Sequence, residues 1–138
     1  MNNIYFIDTN IIISHLTNDD QKKSKKCFSL LQKVEKGEVI ITTCEAVITE
    51  VIYILSSKTL YNLSRKKIQE IMHPILTLKG FKLPYRKIYL QALEFYTQYK
   101  IDFEDALIKA HMKDKNLKSL YSYDQDFDQI KTIKRIEP

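Results

Sequence analysis

Five carboxylates stand at positions from which they could bind a metal ion together. Asp8 and Asp124 follow apolar, strand-like runs, and Asp126 follows in the polar turn after Asp124. Glu50 interrupts an apolar helical segment, and Asp105 lies at the start of a helix. Carboxylate oxygens are the hard ligands that Mg²⁺ and Mn²⁺ prefer. The three histidines and two cysteines are scattered singly, which argues against a zinc site. The pattern predicts an enzyme that uses a divalent cation.

Taken one at a time, most of these acids also have a structural explanation. Asp8 can cap the helix that begins after it, Asp105 lies in a first helical turn, and aspartates after a strand commonly form turns. Glu50 is more informative, because its neighbours one helical turn away are apolar or aromatic: Ala46, Val47, Tyr53 and Ile54. We therefore expect Glu50 to lie in the buried stripe of its helix, where an unpaired charge is costly.

Short apolar strands alternate with amphipathic helices along the chain. We predict strands at residues 4–7 (fully buried), 39–42, 81–83 (weak), 120–123 and 132–136. Helices are predicted at residues 19–35, 45–56, 86–99 and 104–113, with one after the N-cap Ser64 that Pro74 kinks or shortens. This alternation indicates an α/β fold with a mainly parallel sheet, formed as one domain over residues 1–138. Asp8 and Asp124 would then share the carboxyl edge of the sheet.

The composition excludes several classes of enzyme. The two glycines, Gly37 and Gly80, are too few for a P-loop or a dinucleotide fingerprint. No apolar run approaches the length of a membrane-spanning helix, and we expect neither a signal peptide nor a disulfide, which together favour the cytoplasm. The net charge of +5 is compatible with a polyanionic partner, and equally with an ordinary lysine-rich surface.

Four segments resemble, in order, the motifs of PIN-domain ribonucleases: FIDTN at residues 6–10, TEV at 49–51, EDALI at 104–108 and SYDQDF at 122–127. The resemblance spans nearly the whole chain. It implies a three-layer α/β/α sandwich, cleavage of RNA with Mg²⁺ or Mn²⁺, and frequent homodimers. The small size also resembles VapC-type toxins of toxin–antitoxin pairs, which implies a small antitoxin that blocks the site.

By this resemblance the catalytic acids are Asp8, Glu50, Asp105 and Asp124, which we expect to meet within several ångströms around the cation. Asp124 and Asp126 can both take the fourth acidic position, and both are candidate metal ligands. We favour Asp124 because it directly follows the strand, and we expect Asp126 to cap the next turn instead.

Other side chains are candidates for supporting roles. Thr9, Asn10 and Ser122 could orient the metal ligands or water. Contacts to the RNA backbone would fall to basic residues, although a plain solvated helix face explains their pattern better than RNA binding does: Lys22, Lys23, Lys25, Lys26, Arg65, Lys66 and Lys109.

Three alternatives remain. A haloacid-dehalogenase-type phosphatase also places Asp after its first strand, but it needs a second Asp where this chain has Asn10. A receiver domain shares the alternating architecture, yet the late acids fit it poorly. A degenerate PIN module could bind RNA or a protein without cleavage, although binding alone would not need an anionic pocket.

Overall fold

The chain forms two compact units in the computed structural model, which describes residues 3–138. The first unit is Met1–Pro84 and the second is Tyr85–Pro138. Each unit combines helices with a short pair of parallel strands. The predicted mixed α/β fold with parallel strands is thereby confirmed, and within residues 3–138 the four strands are distributed over two two-stranded sheets.

The first unit carries two strands and four helices in the described part of the chain. In order they are β1 Ile4–Phe6, α1 Thr9–Leu16, α2 Gln21–Glu35, β2 Ile40–Thr42, α3 Glu45–Ser56 and α4 Arg65–Leu76. Strands β1 and β2 are parallel, with Ile4 opposite Ile40 and Phe6 opposite Thr42. A single bridge from Ile41 to Phe81 stands where the weak strand at 81–83 was predicted.

The core of the first unit comes from the apolar stripes of its helices and the centre of β2. Its fully buried side chains include Ile12, Ile41, Ile48, Ile68 and Met72. Helix α1 packs against both α2 and α3, which fixes the residues at its N-terminus relative to α3. This packing matters for the acidic residues, because Asp8 precedes α1 and Glu50 lies on α3.

The second unit carries two long helices followed by a small strand pair. Its elements are α5 Arg86–Gln98, α6 Phe103–Asp114, β3 Ser119–Tyr121, a 3₁₀ turn Gln125–Gln129 and β4 Lys134–Ile136. Strands β3 and β4 are parallel, with Ser119 opposite Lys134. Helix α5 packs along α6, and Leu93, Ala106 and Phe127 are buried.

Several local predictions are confirmed. The helix at 45–56 has the predicted bounds, and the Ser64 side chain caps α4 by accepting a bond from the Lys67 amide. Helix α4 ends at Leu76, two residues after Pro74. No helix within residues 3–138 is long and apolar enough to cross a membrane.

One prediction about burial is wrong. Residues 4–7 were expected to form a fully buried strand, yet Ile4, Tyr5 and Phe6 are each more than half exposed and Ile7 alone is buried. In its unit β1 pairs with β2 on one edge, and a three-residue edge strand withdraws little of its side-chain surface from solvent.

The two glycines occupy positions where a side chain would strain the backbone or clash with it. Gly37 has φ +75° just after α2, where its amide bonds to the Val34 carbonyl and the Glu38 amide to the Lys33 carbonyl. This is the left-handed residue that commonly ends a helix. A Cβ at Gly80 would lie 2.4 Å from the Val39 carbonyl oxygen and 2.7 Å from that of Val34.

We expect Gly80→Ala to lower the free energy of unfolding by about 3 kcal/mol, because the methyl group would meet backbone that cannot rotate away. Gly37→Ala should cost about 1 kcal/mol, the penalty of a left-handed backbone with a Cβ. Urea denaturation of both variants measures the difference. A Gly80→Ala protein as stable as the parent would contradict the close approach.

Candidate metal centre

Three aspartates of the second unit form a group with metal-binding geometry. Asp105, Asp124 and Asp126 each offer a carboxylate oxygen, and these oxygens all lie within 4.8 Å of one another. Asp105 is partly buried, whereas Asp124 and Asp126 are exposed. One residue comes from a helix and two come from the segment after a strand, so residues distant in sequence meet here.

The first turn of α6 positions Asp105. Phe103 and Ala106, on either side of it, are buried, and the Ala106 amide bonds to the Asp102 carbonyl at 3.0 Å. These contacts hold the start of the helix in place, and Asp105 itself is partly buried there. A helix N-terminus also favours negative charge, which makes an acid at this position acceptable.

Local hydrogen bonds fix the turn that carries the other two aspartates. The Asp124 amide donates to the Ser122 hydroxyl oxygen at 3.0 Å, and the Asp126 amide donates to the Asp124 carboxylate at 2.9 Å. Ser122 thus orients the backbone at Asp124. The expectation that Asp126 caps the turn is wrong: Asp124 is the cap, because it precedes the 3₁₀ turn and its side chain reaches the first free amide.

Arg135, on β4, was not identified from the sequence as a positioning residue. Its guanidinium donates to both carboxylate oxygens of Asp128, at 2.8 and 3.2 Å, and to the Ser122 carbonyl at 3.1 Å. It also pairs with Glu137 at 2.9 Å. The hydrogen bond to Asp128 is the main reason why the pKa of that carboxyl lies below its usual range. Arg135 therefore connects both ends of the segment at residues 122–128 to the strand pair. Nothing in the sequence around this single arginine indicated that role.

The acidic group has a clear electrostatic signature. Partial burial is the largest cause that raises the pKa of Asp105 to about 6, and the charge of Asp124 is the next. Asp102, a hydrogen bond with Asp124 and the charge of Asp126 raise it further. A carboxyl that resists ionisation because it is partly buried and close to other carboxylates is one whose ionised form a cation would stabilise.

The donor set fits a small divalent cation. Oxygens about 2.1 Å from one Mg²⁺ can be at most about 4.2 Å apart. The oxygens of the three aspartates lie within 4.8 Å of one another, so small side-chain rotations or bridging waters would complete such a site. All three ligands are carboxylates, the chemistry that suits Mg²⁺ and Mn²⁺.

The first unit holds two more of the predicted acids. Asp8 is the N-cap of α1 and accepts a bond from the Asn10 amide at 3.1 Å. The hydroxyl of the buried Thr9 donates to the Glu50 carboxylate at 3.0 Å. Glu50 on α3 is therefore held by the residue that directly follows Asp8.

The predicted burial of Glu50 is wrong. Glu50 is exposed, as are Ala46 and Tyr53, the latter with 67% of its surface accessible. Helix α3 is apolar on almost every side, and the side it buries carries Ile48, Val51, Ile52 and Leu55. Apolar neighbours on the helix surface therefore did not identify the buried stripe.

A buried threonine that the sequence did not reveal holds the segment before Asp8. The Thr43 hydroxyl donates to the Ile7 carbonyl at 2.8 Å, and the Ile7 amide bonds to the Thr42 carbonyl at 3.0 Å. In the parallel register Phe6 lies opposite Thr42, so Thr43 falls opposite Ile7. The polar residue directly after the second strand was the feature of the sequence from which this role of Thr43 could have been predicted.

The remaining predicted residues lie on helix surfaces or in the core. Asn10 is exposed, and its backbone amide makes the contact to Asp8. The side chains of α2 that were proposed to bind RNA are all exposed: Lys22, Lys23, Lys25 and Lys26. On α4, Lys66 is exposed and Arg65 is partly exposed. Lys109 differs from them because it is buried, with its ammonium 3.8 Å from the centre of the Phe95 ring.

The raised pKa of Asp105 predicts a pH-dependent stability without metal. Its pKa of about 6 in the folded chain exceeds the ordinary value of 3.8, so the stabilisation from its proton is full below 3.8 and is lost as the pH rises through 6. In EDTA, Asp105→Asn should therefore gain melting temperature relative to the parent as the pH goes from about 5 to 7. Asp114→Asn, on the same helix, should show no such trend. A pH-independent difference for Asp105→Asn would contradict the raised pKa.

Comparison with known families gives one match, to a family described as PIN domain, over residues 5–133. Comparison with curated proteins gives no match. The family match includes all five acids described above. The resemblance seen in the four motifs is confirmed at this level, and the chain belongs to the PIN domain family.

Proposed function

We propose that the protein is an endoribonuclease that hydrolyses RNA phosphodiester bonds with Mg²⁺ or Mn²⁺. The observation that carries this proposal is the group of Asp105, Asp124 and Asp126, whose carboxylate oxygens lie within 4.8 Å of one another. PIN domains are generally metal-dependent nucleases, and this chain keeps the acids of the family motifs. A group that only bound RNA would gain nothing from three adjacent negative charges facing phosphates.

Bound in this group, a divalent cation would lower the pKa of a water molecule and neutralise charge on the phosphate. Asp105 and Asp124 would hold it, with Asp126 as a further ligand. Ser122 keeps the backbone of Asp124 in place, and Arg135 holds the turn from its far side. Since the pKa of Asp105 is about 6, binding of the cation at a pH below that value would also release the proton of this carboxyl.

Asp8 and Glu50 are proposed to serve the same reaction, on the strength of the family motifs. The hydrogen bond from Thr9 to Glu50 holds one carboxylate beside the residue that follows the other, which supports a shared role. Asp8 caps α1 in addition, so its substitution tests two functions at once. Asparagine is the suitable replacement because it caps helices as well as aspartate does.

We also propose a narrower role, the toxin of a toxin–antitoxin pair that acts in the cytoplasm. Its support is the resemblance to VapC-type toxins, which lies in the small size of the chain. A small antitoxin would cover the acids, and the toxin would form a homodimer. Growth arrest on expression, relieved by a neighbouring gene whose product copurifies with the chain, would support this role. Expression without effect on growth would count against it.

We expect Asp105→Asn and Asp8→Asn each to lower the rate of single-stranded RNA cleavage by about 100-fold or more, since each removes a charge from the metal-binding acids. Asp114→Asn is the matched control: it changes the same charge on the same helix and should stay within about twofold of the parent. Cleavage should disappear in EDTA and return with Mg²⁺ or Mn²⁺.

Circular dichroism separates lost folding from lost chemistry in these variants. If purified Asp105→Asn and the parent cleave equally fast, the assignment of the metal-binding acids is wrong. If the folded parent binds RNA and does not cut it with either cation, the chain is a binding module and the nuclease proposal fails.

A further inference from the structure

A cavity of about 250 Å³ in the second unit has a strongly basic lining. Its lining includes Lys109 and Lys113 on α6 and Lys118 just before β3, and no acidic residue is among the side chains described around it. Lys113 and Lys118 are exposed, whereas Lys109 is 7% exposed. The same fold thus carries a basic cavity as well as an acidic group.

Two of these ammonium groups share one aromatic ring. The Lys109 nitrogen lies 3.8 Å from the centre of the Phe95 ring, and the Lys113 nitrogen lies 5.7 Å from it. Burial is the main reason why the pKa of Lys109 is lowered, and the charge of Lys113 lowers it further. Cation–π contacts hold the two ammonium groups near each other. The Lys113 nitrogen also donates to the Gln91 side-chain oxygen at 3.5 Å. Phe95 and Gln91 do not line the cavity, so the exposed Lys113 side chain would turn from α5 to reach an anion there.

The cavity is separate from the acidic group within this unit. Along α6, Lys113 follows Asp105 by eight residues, which corresponds to about 12 Å of helix. Lys118 precedes β3, whereas Asp124 follows it. Lys113 and Lys118 therefore lie at the opposite end of the helix and the strand from Asp105 and Asp124, whereas Lys109 lies one helical turn after Asp105.

The rest of the lining combines polar and apolar groups. Asn116 and Thr132 offer hydrogen-bonding groups, and Leu117 and Ile133 offer apolar surface. Leu117 is 56% exposed, although it is a large apolar side chain. A ligand with an anionic group and a flat organic part would satisfy both kinds of lining.

We propose that this cavity binds the phosphate group of a nucleotide. Lys113 and Lys118 contact the phosphate, Lys109 contributes positive charge from beneath, and the base or ribose lies on the apolar side. Three ammonium groups suit the several anionic oxygens of a phosphate better than those of a single carboxylate. The phosphate could belong to a free mononucleotide or to an RNA strand. This binding does not rest on the proposed nuclease activity.

Binding to the full chain is measured in EDTA, so that RNA stays intact. The probes are inorganic phosphate, 5′-AMP and a single-stranded RNA octamer, followed by NMR shifts of the Lys113, Asn116 and Thr132 amides. We expect AMP to shift these signals saturably, and Lys113→Gln and Lys118→Gln each to raise its Kd by about tenfold. Lys115→Gln, a neighbouring exposed lysine outside the lining, should change the Kd by less than about twofold.

Lys109→Met keeps a long side chain over Phe95 and removes the charge, so we expect it to weaken binding of AMP too. If this variant unfolds, Lys113→Gln and Lys118→Gln still test the proposal. Shifts with AMP and phosphate support a mononucleotide cavity, and shifts with the octamer alone support a contact to an RNA strand. The proposal is overturned if no probe shifts these amides, if Lys115→Gln weakens binding as much as Lys113→Gln, or if a glutamate-rich peptide binds there and phosphate compounds do not.

Discussion

Three carboxylates whose oxygens lie within 4.8 Å of one another are unfavourable together unless a proton or a cation reduces their charge. In the second unit the proton goes to Asp105, whose pKa is raised to about 6 by burial and by its acidic neighbours. Near neutral pH that proton is largely released, so the group is left with an electrostatic strain that a divalent cation would relieve. The same repulsion would give the group an affinity for a cation, and it makes full ionisation of the three aspartates costly.

The surrounding structure holds this strained group in place. A buried first turn fixes Asp105, and Ser122 fixes the backbone that carries Asp124. Arg135 joins the far end of the turn to the strand pair through Asp128. None of these contacts neutralises the three aspartates themselves. The protein thus uses hydrogen bonds and packing to hold like charges together, as metal sites require.

Sequence patterns predicted the elements well and the environments less well. Apolar periodicity and caps gave the helix at 45–56 and the start of α4, because these signals are local. The same apolar pattern placed Glu50 in a buried stripe, and the structure shows it exposed, because packing partners decide which side of a largely apolar helix is covered. Arg135 and Thr43 act on backbone carbonyls far away in sequence, so residue type alone could not reveal them. The sequence predicted Asp126 as the cap, whereas Asp124 caps the 3₁₀ turn, because the cap is set by the residue at which that turn begins.

The most direct measurement is a titration of the purified chain with Mn²⁺ at pH 7, followed by paramagnetic broadening of backbone amide signals. The account predicts one saturable site that broadens the signals of Asp105, Asp124 and Asp126 first and is displaced by excess Mg²⁺. Asp124→Ala should abolish this broadening. Saturable broadening centred elsewhere, or none at these three residues, would contradict the claim that their mutual repulsion serves to bind a cation.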